Sequence, residues 1–363
     1  MRILYIAYPL LTVSQESAGG AEQVLWTLER EMARRGVKTT VAASAGSLVA
    51  GQLFATGEPC RSLDDYRRRN QEHEENILQF VHGREREGRP FELVHDMSGS
   101  FWPRAAEVQA PLLATLHLPR HFYSPEIFAN IPPNVCFNCV SQSQASSFAG
   151  LEALQGVVTN GIALGQFGPV SGLHVQPHSG RSSLLWLGRI CEEKAPHLAL
   201  EVAGRAGAPI TIAGHVYPFS YHRQYFDREV APRLKRMAKA TFVESPSAET
   251  RHRLLREAHA VLITSQVEET SSLVAMEAAA SGTPVIALAR GALPEVIADA
   301  MTGFLVNDVE EAVRALQRLG EIDRETCVRH ARDHFSSAAM ADGYAALYAK
   351  IQNDIRVGTV VAR

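Results

Sequence analysis

The chain has 363 residues, 46% of them apolar and 21% charged, with a formal net charge of −3 at pH 7. That length accommodates two domains of ordinary size, and the composition is that of a globular protein. The near-neutral balance excludes a global basic field for nucleic acid, and no run approaches the roughly 20 apolar residues that span a bilayer.

MRILYIAYPL carries one Arg and a short β-branched, aromatic run without a cleavage pattern, so residues 3–8 read as a buried first strand rather than a signal peptide. A loop with Pro9 and Ser14 to Ala18 leads to Gly19-Gly20-Ala21-Glu22 and a helix closed by Gly36. Val24, Leu25, Leu28 and Met32 give that helix one apolar face. Val37 to Ala43 is the second strand. The order strand, glycine loop, helix, strand opens a doubly wound α/β domain. No G-x-G-x-x-G is present, which argues against a nicotinamide cofactor. Residues 62–88 balance Arg against Asp and Glu and read as a solvated helix, with acceptor or membrane contact through Arg67-Arg68-Arg69 as the weaker alternative.

Strands follow at Phe91–His95, Leu112–His117, Val135–Val140 and Gly156–Thr159. Their carboxyl ends carry His95-Asp96, His117, Ser141 and Asn160-Gly161. Polar groups gathered at strand ends mark a site on one edge of a parallel sheet. The cysteines, Cys60, Cys136, Cys139, Cys191 and Cys327, are an odd, scattered set that points to a reducing cytoplasm. Cys136 and Cys139 lie within one strand-like run and read as core. Gly168 to Arg181 reads as an interdomain linker.

A second α/β run follows. Strands are expected at Ser183–Leu187, Ile210–Ala213, Thr241–Val243, Val261–Ile263, Val285–Ile286 and Phe304–Val306. Helices are expected at Pro196–Ala206, Phe226–Met237 (interrupted by Pro232), Ala248–Ala258, Leu273–Ala280, Pro294–Ala298, Val309–Leu319, Asp323–His334 and Ala338–Ile351. Ala260 to Leu288 is one βαβ unit, with Ser271 or Ser272 as helix cap and Gly282 as its stop. Its loop carries Glu269, and its otherwise apolar helix carries Glu277, a carboxylate costly to bury without a partner.

Glu269 and Glu277 flank a helix N-terminus suited to an anion. Two carboxylates there suit neutral hydroxyls, as on a sugar; a surface Glu269 and a Glu277 paired with a local cation is the alternative. Arg189 and Lys194, on the turn after Ser183–Leu187, can neutralise a diphosphate. A surface ion-pair cluster with Glu192 and Glu193 is the alternative there.

Several pieces recur in one order: Gly19-Gly20-Ala21-Glu22, the strand ending in His117, SQSQ from Ser141, VTNGI over 158–162 followed by Phe167, G-R-x4-K over 188–194, Ala213-Gly214, E-x7-E at Glu269 and Glu277 followed by SGTPVI, and Gly291 with PEVI over 294–297. With them the chain resembles the retaining glycosyltransferases of family 4. The resemblance implies a GT-B fold: two Rossmann-like, doubly wound parallel-sheet domains facing across a cleft. The N-terminal, acceptor-side domain would span 1–167, completed by a C-terminal helix over 338–363 that crosses back to it. The donor domain would span 168–337.

The resemblance also assigns roles. Arg189 and Lys194 are expected to bind the donor diphosphate and stabilise the leaving group. Glu269 would hold sugar hydroxyls, and Glu277 the ribose. The backbone at Ser272, Leu273 and Val274 would meet the phosphates. Gly19 and Gly20 would approach the diphosphate closely, as glycine permits, and His117 would lie near the sugar's reacting face. The chain departs from the family at Ser271-Ser272, usually Phe-Gly, and at Ala195, usually Gly; serine side chains narrow the pocket and bear on sugar choice.

The implied reaction is transfer of a sugar from a nucleoside diphosphate sugar, UDP being the commoner nucleotide, to an acceptor hydroxyl with retention. It needs no cofactor and, with fixed cations and no Asp-x-Asp, no metal. The acceptor stays open among glycan, lipid and small molecule. A nucleotide-sugar epimerase of the same fold and a non-catalytic nucleotide-sugar binding protein are the competing readings.

Overall fold

The computed structural model describes residues 1–60, 62–167, 183–217 and 219–356; the segment read as a linker, 168–181, lies outside them. The chain divides into two compact units: Met1–Asn160 together with the C-terminal helix from Ser337, and Gly161–Ser336. Ile162 and Phe167, which the sequence placed before the boundary, pack in the core of the second unit.

The first unit contains β1 (Arg2–Ile6), α1 (Gly20–Arg34), β2 (Lys38–Ala43), β3 (Gln52–Ala55), α2 (Leu63–Arg86), β4 (Leu93–Asp96), β5 (Leu112–Thr115), β6 (Val135–Cys139), α3 (Gln142–Ser147) and β7 (Leu154–Val157). Its sheet is parallel, in the order β3-β2-β1-β4-β5-β6-β7. Every residue of β4, β5 and β6 is buried, as expected where helices cover both faces. Strand β3 has no counterpart in the sequence reading. It is a short edge strand with no buried residue, so it lacks the apolar run that announces a central strand. Strand β7 starts two residues earlier than expected, where the register against β6 shifts.

The second unit contains β8 (Leu184–Arg189), α4 (Pro196–Ala206), β9 (Ile210–His215), α5 (Ser220–Tyr225), α6 (Ala231–Arg236), β10 (Ala240–Glu244), α7 (Ala248–Glu257), β11 (Val261–Ile263), α8 (Leu273–Ala280), β12 (Val285–Leu288), α9 (Leu293–Val296), β13 (Gly303–Val306), α10 (Val309–Leu316) and α11 (Arg324–His334). Its sheet, again parallel, runs β10-β9-β8-β11-β12-β13. Pro232 does not break the helix. A π turn over Phe226–Val230 joins α5 to α6 and absorbs the missing N–H.

The last helix, α12 (Ser337–Arg356), belongs to the first unit. A buried polar network fastens it there. His95 on β4 bonds through Nδ1 to the Tyr348 hydroxyl (2.7 Å) and through Nε2 to Thr115 on β5 (2.8 Å). Thr115 donates to Asn138 on β6 and lies 3.2 Å from the Tyr344 hydroxyl, while Tyr5 on β1 meets Tyr348. Each bond in such a fully satisfied network contributes about 0.5–1.5 kcal/mol, and leaving one member unpaired costs more. Gly343 packs so closely on Val158 that a Cβ would lie 2.9 Å from it.

Candidate functional site

In the second unit the strand order reverses between β8 and β11, with α4 following one and α8 the other. Ligands of open parallel sheets bind outside the strand ends at such a switch point. Of the residues singled out from the sequence, Arg189, Lys194, Glu269 and Ser272 sit at or on these two strand-to-helix connections, Leu273, Val274 and Glu277 follow in α8, and Gly19, Gly20 and His117 belong to the first unit. Strand β8 ends in Gly188-Arg189, and the turn 190–195 follows. After β11 comes Thr264-Ser265 and the loop to α8.

Thr264 ties the two connections together. Its hydroxyl donates to the carbonyls of Lys194 (3.1 Å) and Ala195 (2.8 Å), and accepts from the Trp186 indole on β8 (3.1 Å). The Gln266 N–H adds a bond to the Glu193 carbonyl (2.7 Å). Ala195 is left-handed at φ 48° and wholly buried. That conformation costs a non-glycine residue about 1–2 kcal/mol. It is held because the turn is fixed from both sides.

The fastening brings Lys194 to Glu269. The ammonium donates to both carboxylate oxygens, at 2.5 and 2.7 Å, and the Ser265 hydroxyl donates to Oε1. Glu269 is buried, and Lys194 is about one-third exposed. A carboxylate has roughly four lone-pair sites and an ammonium three N–H groups. Three of the sites on Glu269 are taken, leaving one on Oε2, and Lys194 keeps one N–H. The backbone of Glu269 is gripped by 290–292. The Ala292 N–H donates to its carbonyl at 2.7 Å, and Gly291, at φ +56°, comes so close that a Cβ would lie 2.3 Å from that oxygen. Gly291 N–H also donates to the Glu268 carboxylate.

Ser272 caps α8, its hydroxyl accepting from the Ala275 N–H at 3.3 Å while its carbonyl accepts from Met276. The N–H groups of Leu273 and Val274 are left without an intrahelical acceptor, at the positive end of the helix. The Ser271 hydroxyl is buried with no partner among the described residues. Glu277 is buried one turn into α8. Burial pushes its carboxyl up to about 7, opposed by the charge of Arg251 on α7, itself buried. A nearby cation was the plainer alternative for Glu277, and Arg251 is one. The sequence reading had missed Arg251, because nothing in the chain's local pattern aims α7 at α8.

Arg189 ends β8, with its guanidinium 5.5 Å from the centre of the Tyr217 ring. In the first unit, Gly19 is the N-cap of α1, where a Cβ would collide with the Glu22 carboxylate, and Gly20 is exposed as the first helical residue. His117 follows β5; burial lowers its pKa to about 4, so it is neutral at pH 7. Asp96, at the end of β4, is a turn-former: its carboxylate accepts from the N–H groups of Ser98, Gly99, Phe101 and Trp102. Cys136 and Cys139 are free and buried in β6, among core residues.

Residues 181–321 match the family model for Glycosyl transferases group 1. The D-inositol 3-phosphate glycosyltransferase of Mycolicibacterium smegmatis is 32% identical over 179 residues, covering 47% of this chain and 41% of that protein. The chain thus spans about two-fifths of the length of the curated relative it matches. Among solved structures, the sucrose-phosphate synthase of Thermosynechococcus elongatus superposes with TM-score 0.76 at 20% identity, over 96% of this chain and 98% of that one. Anabaena HepE, solved with UDP-glucose, gives TM-score 0.73 at 15% identity, over 96% and 100%. The fold is GT-B, with two Rossmann-like parallel sheets. Among the described residues no helix is long and apolar enough to cross a membrane.

Proposed function

We propose that this chain, a group 1 glycosyltransferase of GT-B fold, transfers a sugar from a nucleoside diphosphate sugar to an acceptor hydroxyl with retention of configuration. One observation carries the reading: at the switch point of the second unit, Lys194 and Glu269 form a buried-edge ion pair beside the capped start of α8. The remaining N–H of Lys194, the Arg189 guanidinium and the Leu273 and Val274 N–H groups are donors for a diphosphate. The open site on Glu269 and the unpartnered Ser271 hydroxyl suit sugar hydroxyls.

Transition-state charge builds on the departing diphosphate, and donors fixed before the reaction stabilise it most. The acceptor proton passes to that diphosphate as the new bond forms on the same face, so no covalent nucleophile is required. Fixed cations supply the neutralisation, and no step uses a metal ion or cofactor. Glu277 is assigned to the ribose. Gly19, Gly20 and His117 are assigned to the donor on the family resemblance. UDP is the proposed nucleotide, in keeping with the UDP-glucose bound by HepE. Five free, buried cysteines favour a reducing, cytoplasmic setting.

The test is a melting-temperature screen with UDP-, GDP- and ADP-sugars, followed by a transfer assay on Lys194→Met. A donor at 100 times its Kd adds about 2.7 kcal/mol, a rise of roughly 5–10 °C for a unit of this size. Lys194→Met is expected to lower transfer at least about 100-fold, the scale of losing one charge-stabilising donor. A melting point that no nucleotide sugar moves would overturn the assignment, and conversion of the donor alone would identify an epimerase instead.

A further inference from the structure

Cys191, Glu193 and His222 lie outside the donor set, and one candidate ligand atom from each falls within 4.8 Å of the other two. Cys191 and Glu193 are on the turn after β8, and His222 is on α5. Cys191 is fully buried and His222 nearly so. The polar atoms here are under-satisfied. Both ring nitrogens of His222 and Oε2 of Glu193 are buried without a hydrogen-bond partner among the described residues. The Cys191 sulfur makes a long contact, 3.6 Å, to the Arg189 carbonyl and is hydrogen-bonded to the Glu193 side chain and the Lys194 backbone. Around the imidazole stand Tyr217, Phe219 and Tyr221, with ring centres 5.7, 5.6 and 4.3 Å away. None of these side chains hydrogen-bonds the ring nitrogens, and buried polar groups left unpaired in a native protein need an explanation.

We propose that Cys191, Glu193 and His222 form a binding site for a zinc-class divalent cation. One sulfur, one imidazole nitrogen and one carboxylate oxygen are the donor types this borderline ion takes, with three protein ligands and a water as the fourth. Tetrahedral coordination puts such atoms about 3.3–3.7 Å apart. The cluster's candidate atoms, within 4.8 Å of one another, would close to that spacing on binding. On binding, the Cys191 thiol gives its proton to solvent as the sulfur–metal bond forms. Glu193 as carboxylate and His222 as neutral imidazole contribute lone pairs. The thiolate and carboxylate balance the two positive charges. The ion would clamp the turn that carries Arg189 and Lys194 to α5, a positioning function that does not depend on the donor reading.

The test uses the full chain, stripped with chelator, dialysed and titrated with Co2+ as a spectroscopic probe. The expected result is one equivalent bound, with a thiolate-to-cobalt charge-transfer band, tetrahedral d–d bands, and displacement by one equivalent of Zn2+. Cys191→Ser is expected to abolish the charge-transfer band, Cys327→Ser to retain it, and His222→Gln to weaken Co2+ binding at least about 10-fold. The wild-type titration decides alone if a variant fails to fold. Absence of a stoichiometric thiolate band in the stripped wild type would overturn the proposal, as would a band that survives Cys191→Ser.

Discussion

Replacing Glu277 by Gln separates what this residue does to the fold from what it does for a ligand. Its carboxyl is raised by burial to about 7, from an ordinary value of 4.5. Below pH 4.5 the folded and unfolded chains both hold the proton, and stability carries no penalty. Between 4.5 and about 7 the unfolded chain releases it and the folded chain keeps it, so stability falls as pH rises. Above 7 both are ionised and the loss levels off. A shift of this size corresponds to about 3 kcal/mol at pH 8, and under 1 kcal/mol at pH 5. Gln does not titrate, so the advantage of Glu277→Gln over wild type should grow by about 2–3 kcal/mol between pH 5 and pH 8. For a unit spanning 161–336 that is roughly 5–10 °C in relative melting temperature. Any constant cost of the amide cancels in this difference. Melting curves of both proteins at pH 5 and pH 8 measure it, and a gap independent of pH would refute buried ionisation as the cost of Glu277. If the carboxylate holds the ribose, the same variant should bind nucleoside diphosphate at least about 10-fold more weakly at pH 8, by calorimetry. A variant that is more stable and binds equally well would leave Glu277 with no ligand role.

Gly291→Ala should lose about 2–4 kcal/mol in urea unfolding, since a Cβ there meets the Glu269 backbone at 2.3–2.5 Å and the residue is left-handed. It should also weaken donor binding at least about 10-fold by moving Glu269; unchanged affinity in a folded variant would contradict the assigned role of Glu269. Tyr348→Phe removes the hydroxyl that pairs with His95 Nδ1. It should cost about 1–3 kcal/mol and speed amide exchange in 337–354 before the central strands. Uniform exchange across the first unit would show that the network does not fasten α12 in particular.

How much could be read from the chain depended on how local each signal is. Pro196–Ala206, Val261–Ile263 and Leu273–Ala280 were placed to the residue, because Pro at a helix start, β-branched runs and Ser272 ahead of good helix formers are local signals. Strand β3 was missed because an exposed edge carries little apolar pattern. Glu269 and Lys194 were singled out by their places beside a helix start and a strand end, and again by the family resemblance, yet their pairing was not foreseen. They are 75 residues apart, and only the parallel adjacency of β8 and β11 makes their strand ends neighbours. The neighbours of Arg189 and Glu277 were invisible for the same reason: Tyr217, His222 and Arg251 lie on other connections.

The sequence by itself determined the two α/β runs, the helix-start and glycine positions, and the carboxylates and cations available at strand ends. These follow from propensity, periodicity and backbone sterics, which act over a few residues. Tertiary structure alone decided which of those groups share a lone pair, which carboxyl is pushed up by burial, and that α12 closes on β1, β4, β5 and β6. Each of these depends on desolvation and on contacts between distant segments, and neither is set until strand order brings the segments together.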